Sequence, residues 1–138
     1  METTVKLQVN IDTLFDVMER SLLQEANSAL KKKITAQEIG KGLTYTKKSQ
    51  NRNVKVKVTG WKKPELYEAE FLSDQDSIQV AYLLKPVSDQ ETEVTYREVY
   101  RKKGKEKATF ATRLVEKKAV KQAQRMLKAV EKAIMENQ

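Results

Sequence analysis

Tyr96, Glu98 and Tyr100 stand two residues apart in a run that alternates from Thr92 to Tyr100. In an extended strand that spacing puts all three side chains on one face, a carboxylate between two phenols. Thr92 and Val94 share that face, which makes it the side that meets the core. An isolated ionised carboxylate there is strongly unfavourable. Three arrangements relieve it. A lysine, arginine or tyrosine hydroxyl reaches the carboxylate; a bulge turns it to water; or it lines a cavity and orients the polar end of a ligand. Val80 is its expected neighbour across the hairpin. Proton transfer by Glu98, tyrosines and lysines is the catalytic chemistry left open, and nothing in the pattern supports it.

Other chemistries are closed. The chain has no cysteine and no histidine. Disulfides, zinc sites of Cys or His ligands, and Ser-His-Asp or Cys-His catalysis are therefore excluded. The chain has four glycines and no Gly-rich phosphate loop. No metal site and no cofactor is indicated.

Further aromatics fall on the same inward parity: Tyr45, Tyr67, Phe71 and Tyr82, with Trp61 at a turn after Gly60. A cavity lined by rings and a few hydroxyls suits a hydrophobic or amphipathic ligand. The plain alternative is a packed core with each hydroxyl at its rim. Trp61 either anchors the end of the sheet or lines the cavity mouth.

These residues need a sheet and a cover. Val5, Leu7 and Val9 alternate with polar residues in a first strand, Thr4–Val9. Asn10 or Asp12 then caps a helix with Ile11, Leu14, Phe15, Met18, Leu22 and Leu23 at helical spacing. A second short helix, Ala26–Lys31, follows. Ile34–Ile39 reads two ways. Thr35 and Glu38 fit a capping box, whereas Gly40-Lys41-Gly42 fits a tight turn pairing Lys33–Ile39 with Gly42–Ser49; the hairpin is preferred. Alternating runs around Val54–Val58, Tyr67–Phe71, Ile78–Leu84 and Thr92–Tyr100 are joined by short polar links, an antiparallel meander with one buried face. A register set at Trp61–Pro64 would bring Val56 to Ala69 and Lys57 to Glu68. Arg101-Lys102-Lys103-Gly104-Lys105 links the meander to a closing helix, Ala108–Glu136, about 43 Å long. Its broad apolar stripe includes Ala108, Phe110, Ala111, Leu114, Val115, Ala119, Ala123, Met126, Leu127, Val130, Ala133 and Ile134. Leu127 and Met126 are expected under the sheet.

The fold class is thus α+β: an antiparallel sheet of six or seven strands on which a long C-terminal helix lies, with two short helices after the first strand; the curved, helix-gripping form of that sheet is what the family resemblance given below implies. Residues 1–138 make a single domain, long enough to bury a real core. No basic leader precedes an apolar signal core, and the uncharged run between Asp76 and Lys85 is too short to span a bilayer. A cytoplasmic protein is expected.

Lys and Arg number 27 against 19 acids, a net charge of +8. Arg113, Lys117, Lys121, Arg125, Lys128 and Lys132 form a stripe on the outer side of the closing helix. It could follow phosphates or another polyanion. Glu116, Glu131 and Glu136 interrupt it and no aromatic is interleaved, so a solvated face is preferred to a nucleic-acid site. The sequence fixes no oligomeric state.

In this order of elements the chain resembles the START-like (SRPBCC) helix-grip superfamily. Val9-Asn10-Ile11-Asp12-Thr13-Leu14-Phe15 is similar to that superfamily's strand-to-helix junction. Val58-Thr59-Gly60-Trp61-Lys62-Lys63-Pro64-Glu65-Leu66-Tyr67 is similar to its mid-sheet turn, and Glu93-Val94-Thr95-Tyr96-Arg97-Glu98 to its final strand. Gly42-Leu43-Thr44-Tyr45-Thr46-Lys47 and the length resemble a small bacterial family of unknown function within it. The resemblance implies a sheet gripping the last helix, in many members around a lipid, sterol, hormone or polyketide; some members are enzymes and some chaperone regulators. The favoured reading is non-catalytic binding of a small apolar or amphipathic ligand by Tyr45, Trp61, Tyr67, Phe71, Tyr82, Tyr96, Glu98 and Tyr100. The alternative is an interaction module whose basic surface meets a protein or polyanion.

Overall fold

The structure, a computed structural model, describes residues 1–102 and 110–137, with residues 110–116 described by backbone alone. Strand β1 (Glu2–Leu7) leads into helix α1 (Ile11–Leu30). A single 3-10 turn (Ala36–Glu38) precedes β2 (Thr44–Ser49), β3 (Arg52–Lys62), β4 (Leu66–Leu72), β5 (Asp76–Ser88) and β6 (Glu91–Lys102). Helix α2 (Phe110–Glu136) closes the chain. The six strands form one curved antiparallel sheet in the order β1-β6-β5-β4-β3-β2. Of the expected linker, Arg101 and Lys102 belong to β6 and the rest lies outside the described residues.

One helix, not two, follows β1. The Asn10 side chain accepts from the N–H groups of Asp12 and Thr13 and caps its start. Lys31, in the left-handed region at φ 52°, ends it by donating to the Asn27 carbonyl. Leu14, Phe15, Leu22 and Ala26 make one buried stripe across the whole length, so no break is required.

Ile34–Ile39 is no strand, and among the described residues β2 pairs only with β3. Ile34 and Ile39 are both buried. They stand five apart, so a strand would point them to opposite faces. Instead the Ile34 N–H donates to Asn27 Oδ1 at 2.8 Å, and the 3-10 turn satisfies the next amides. Both side chains then reach one cluster with Leu22, Ala26, Tyr45, Val56 and Val58.

A bulge between Val58 and Gly60 and a longer turn before Leu66 move the β3–β4 register by two residues. Val56 faces Phe71 and Lys57 faces Glu70, rather than Ala69 and Glu68. Beyond the bulge the shift is two, which preserves parity, so Val56, Val58, Ala69 and Phe71 keep their expected face.

The larger cluster joins Leu7, Val9, Leu14, Phe15, Val80, Leu84 and Val94 to Ala123, Leu127 and Ile134 of α2. Trp61, Tyr67 and Phe71 pack on both clusters. Gln124 Nε2 donates to Thr3 Oγ1 at 2.8 Å, and the Gln8 N–H to Glu131 at 2.6 Å, holding α2 along β1. Leu127 is buried as expected. Met126 is 40% exposed, because the adjacent position turns about 100° around the helix. Ala133 is also exposed; the stripe's members from 108 to 116 lie outside the described side chains. No described helix is long and apolar enough to cross a membrane.

Candidate functional site

A cavity of about 570 Å³ lies between α1, the inner face of the sheet and α2. Helix α1 contributes Leu14, Val17, Met18, Ser21, Leu22 and Glu25. The floor is Tyr67 and Phe71 of β4, Ile78, Val80 and Tyr82 of β5, and Val94, Tyr96 and Glu98 of β6, with Lys47 from β2. Met126, Leu127 and Val130 of α2 complete it.

Strand register builds the floor. Trp61 faces Tyr67, Tyr67 faces Tyr82, and Tyr82 faces Tyr96, one row across four strands. Ring centroids along it are 5.7, 5.8 and 4.9 Å apart, and Phe15 continues the row onto α1 at 4.8 Å from Trp61. Aromatic pairs at such separations contribute about 0.5–1.5 kcal/mol each beyond simple burial. The row is at once the core's spine and the cavity's wall.

Two carboxylates interrupt this apolar surface. Glu98 faces Val80 and accepts a hydrogen bond from the Tyr96 hydroxyl at 2.8 Å. Glu25 accepts from the Tyr45 hydroxyl at 2.5 Å and from Lys47 Nζ at 2.7 Å. Lys47 also lies 5.4 Å from the centre of the Phe71 ring, a cation–π contact. Burial, and then the Glu98 charge, push the Tyr82 hydroxyl up to about 12. Burial raises Tyr67 further, with the charges of Tyr82 and Glu25 adding. Burial first, and then the bond to a carboxylate, raise Tyr45 and Tyr96 as well. All four phenols are therefore neutral donors at physiological pH.

Of the residues singled out by sequence, Tyr67, Phe71, Tyr82, Tyr96 and Glu98 come together around the cavity. Tyr45, Trp61 and Tyr100 do not line it. Tyr45 is buried in the smaller cluster, one residue pair beyond the wall. Trp61 is held between Phe15 and Tyr67, an anchor of the aromatic row rather than a lip of the cavity. Tyr100 keeps the inward parity but is 52% exposed, and its hydroxyl donates to Asp76 Oδ2 at 3.0 Å. The Ser73 hydroxyl, bonded to Asp76 at 2.6 Å, holds that carboxyl below the usual range, with Tyr100 and Arg52 assisting. Glu25 and Lys47 are the charged cavity residues missing from the site expected from the sequence. Their signals were present: Glu25 continues the stripe of Leu14, Met18 and Leu22, and Lys47 stands two after Tyr45. Among the described residues no group of three or more His, Cys, Asp or Glu side chains could hold a metal ion.

The sheet and its two helices occur in other solved structures. A START superfamily protein from Mycobacterium smegmatis superposes with a TM-score of 0.67 at 10% identity, over 100% of this chain and 98% of that one. A conserved protein from Geobacillus kaustophilus gives 0.61 at 16%, over 98% and 94%. The Zhui aromatase/cyclase from a Streptomyces species gives 0.61 at 13%, over 98% and 92%. At these identities the likeness is one of fold. No curated protein matches the chain. A family model described as a domain of unknown function, DUF3284, matches residues 1–127, which takes in the whole sheet, α1 and α2 as far as Leu127. The chain therefore belongs to the DUF3284 family and has the START-like helix-grip fold.

Proposed function

We propose that this protein binds a small hydrophobic or amphipathic molecule, without catalysis, in the cavity between sheet and helices. The observation that carries this reading is the cavity: about 570 Å³, within the range of about 300–1,000 Å³ usual for small-molecule sites. Its wall is apolar and aromatic, and Glu98 with Tyr96 supplies a polar point inside it. A sheet with this row of rings could have closed on itself as solid core; here Tyr67, Tyr82 and Tyr96 border open space instead. The fold neighbours include an aromatase/cyclase, so the fold accommodates chemistry. In this chain no histidine or cysteine is present to supply a nucleophile–base pair. Tyr67, Phe71, Tyr82, Tyr96 and Glu98 are the proposed contacts.

The test is native mass spectrometry of the full chain purified from its own host under mild conditions. A reproducible small-molecule adduct, lost when Val80→Trp fills the cavity, is expected. Protein that stays bare, and that takes up no apolar probe when one is added, would overturn the reading.

A further inference from the structure

The cavity wall carries two carboxylate–phenol pairs of the same make but different completion. In the first, Glu25 accepts from the Tyr45 hydroxyl and from the Lys47 ammonium, and that ammonium also meets the ring of Phe71 at 5.4 Å. A cation there sits between a carboxylate and an aromatic face. In the second, Glu98 accepts from Tyr96 at 2.8 Å, and the Tyr96 ring meets Tyr82 at 4.9 Å. Among the described residues no lysine or arginine pairs with the Glu98 carboxylate, and its Oε2 has no hydrogen-bond donor. The Met1 ammonium comes close, but it donates to the main-chain carbonyl of Glu98 at 2.6 Å and makes no ion pair with the side chain. The second pair thus has the carboxylate and the rings of the first, and lacks the cation.

Aromatic faces attract organic cations through the ring quadrupole, and a half-buried carboxylate beside apolar side chains favours a partner of opposite charge. The neutral phenols of Tyr82 and Tyr96 add no negative charge of their own. A carboxylate ligand would meet Glu98 as a like charge. A neutral alcohol would satisfy one oxygen and leave the charge unbalanced. We infer that the cavity selects an amphiphile with a single ammonium head, placed between Glu98 and the rings of Tyr82 and Tyr96, its apolar body lying against α1 and α2. This rests on the reading of the cavity as a ligand site and adds the charge of the ligand. The protein's overall charge of +8 attracts anions. A preference for a cation would therefore have to come from the site itself.

The experiment is isothermal titration of the full chain at neutral pH and physiological salt with decyltrimethylammonium, decanol and decanoate, each below its micelle concentration. The three share a chain and differ in head charge. The cation is expected to bind about tenfold or more tighter than decanol, with decanoate weakest. Glu98→Gln, which keeps an acceptor for Tyr96, should remove the cation's advantage over decanol. Decanoate binding as well as the cation would overturn the inference, as would a cation preference that survives Glu98→Gln. Decanol binding without the cation would sink this inference alone. Failure of all three probes to bind would count against the cavity as a ligand site, and so against both.

Discussion

Glu98 is placed by the alternation of its strand, is half-buried, and accepts one tyrosine hydroxyl. Replacing it by glutamine keeps that acceptor and removes a charge from an apolar wall. Glu98→Gln should therefore leave stability unchanged or raise it by up to about 1 kcal/mol, read from urea unfolding. A loss above about 2 kcal/mol would make the carboxylate a structural partner instead. The phenols allow a second prediction at this scale. Their folded pKa values lie above the ordinary value of about 10. Their contribution to stability is complete below pH about 10 and is lost as pH rises toward the folded values. Alkaline titration followed by phenolate absorbance should lag behind free tyrosine, then rise with cooperative unfolding. Ionisation of Tyr45, Tyr67, Tyr82 and Tyr96 near pH 10 in still-folded protein would contradict the burial described. Glu98 was legible in the sequence because strand parity is set by the backbone alone. Glu25 was missed although it continues the stripe of Leu14, Met18 and Leu22, because dividing the helix after Leu23 placed it between two helices, where it has no face.

At the scale of elements, α2 tests how the grip works. Leu127 is 5% exposed and packs beneath the helix, whereas Met126 is 40% exposed at the cavity's edge, its Sδ 4.0 Å from the Tyr82 hydroxyl. Leu127→Asp should unfold the domain, since an unpaired buried charge exceeds what a marginally stable fold tolerates. Met126→Asp should fold with a loss of no more than about 1 kcal/mol. Equal melting temperatures for the two variants would show that α2 does not dock through this face. Element types were largely readable, because alternation and helical spacing differ in period. Boundaries and partners were not. Gly60 hints at a bulge without fixing its position or the register it leaves, and one of the hydrogen bonds that keep Ile34–Ile39 out of the sheet comes from Asn27, outside that segment.

Across the whole molecule, charge and cavity lie on different surfaces. Lys117, Lys121 and Arg125 are exposed on α2, while Lys128 and Lys132 stand 3.6 and 4.0 Å from Glu131 and Glu136. Such surface pairs contribute little to stability, but they dilute the positive field. Binding to duplex or single-stranded nucleic acid should be weak, indifferent to sequence and abolished by moderate salt. Sub-micromolar affinity at physiological salt, lost when Lys121, Arg125 and Lys128 become Glu, would favour the basic face as the working surface. The sheet, its cover and the inward parity of the rings could be read from the sequence. The empty volume could not, since it depends on how far α1 and α2 stand from the floor. The most direct measurement is therefore chemical-shift mapping of isotope-labelled protein titrated with decanol. Saturable shifts confined to Tyr67, Val80, Tyr82, Tyr96, Leu127 and their neighbours are predicted. Shifts scattered over exposed apolar residues such as Val87, Val99 and Met135, with the aromatic row unmoved, would contradict the cavity as the binding site.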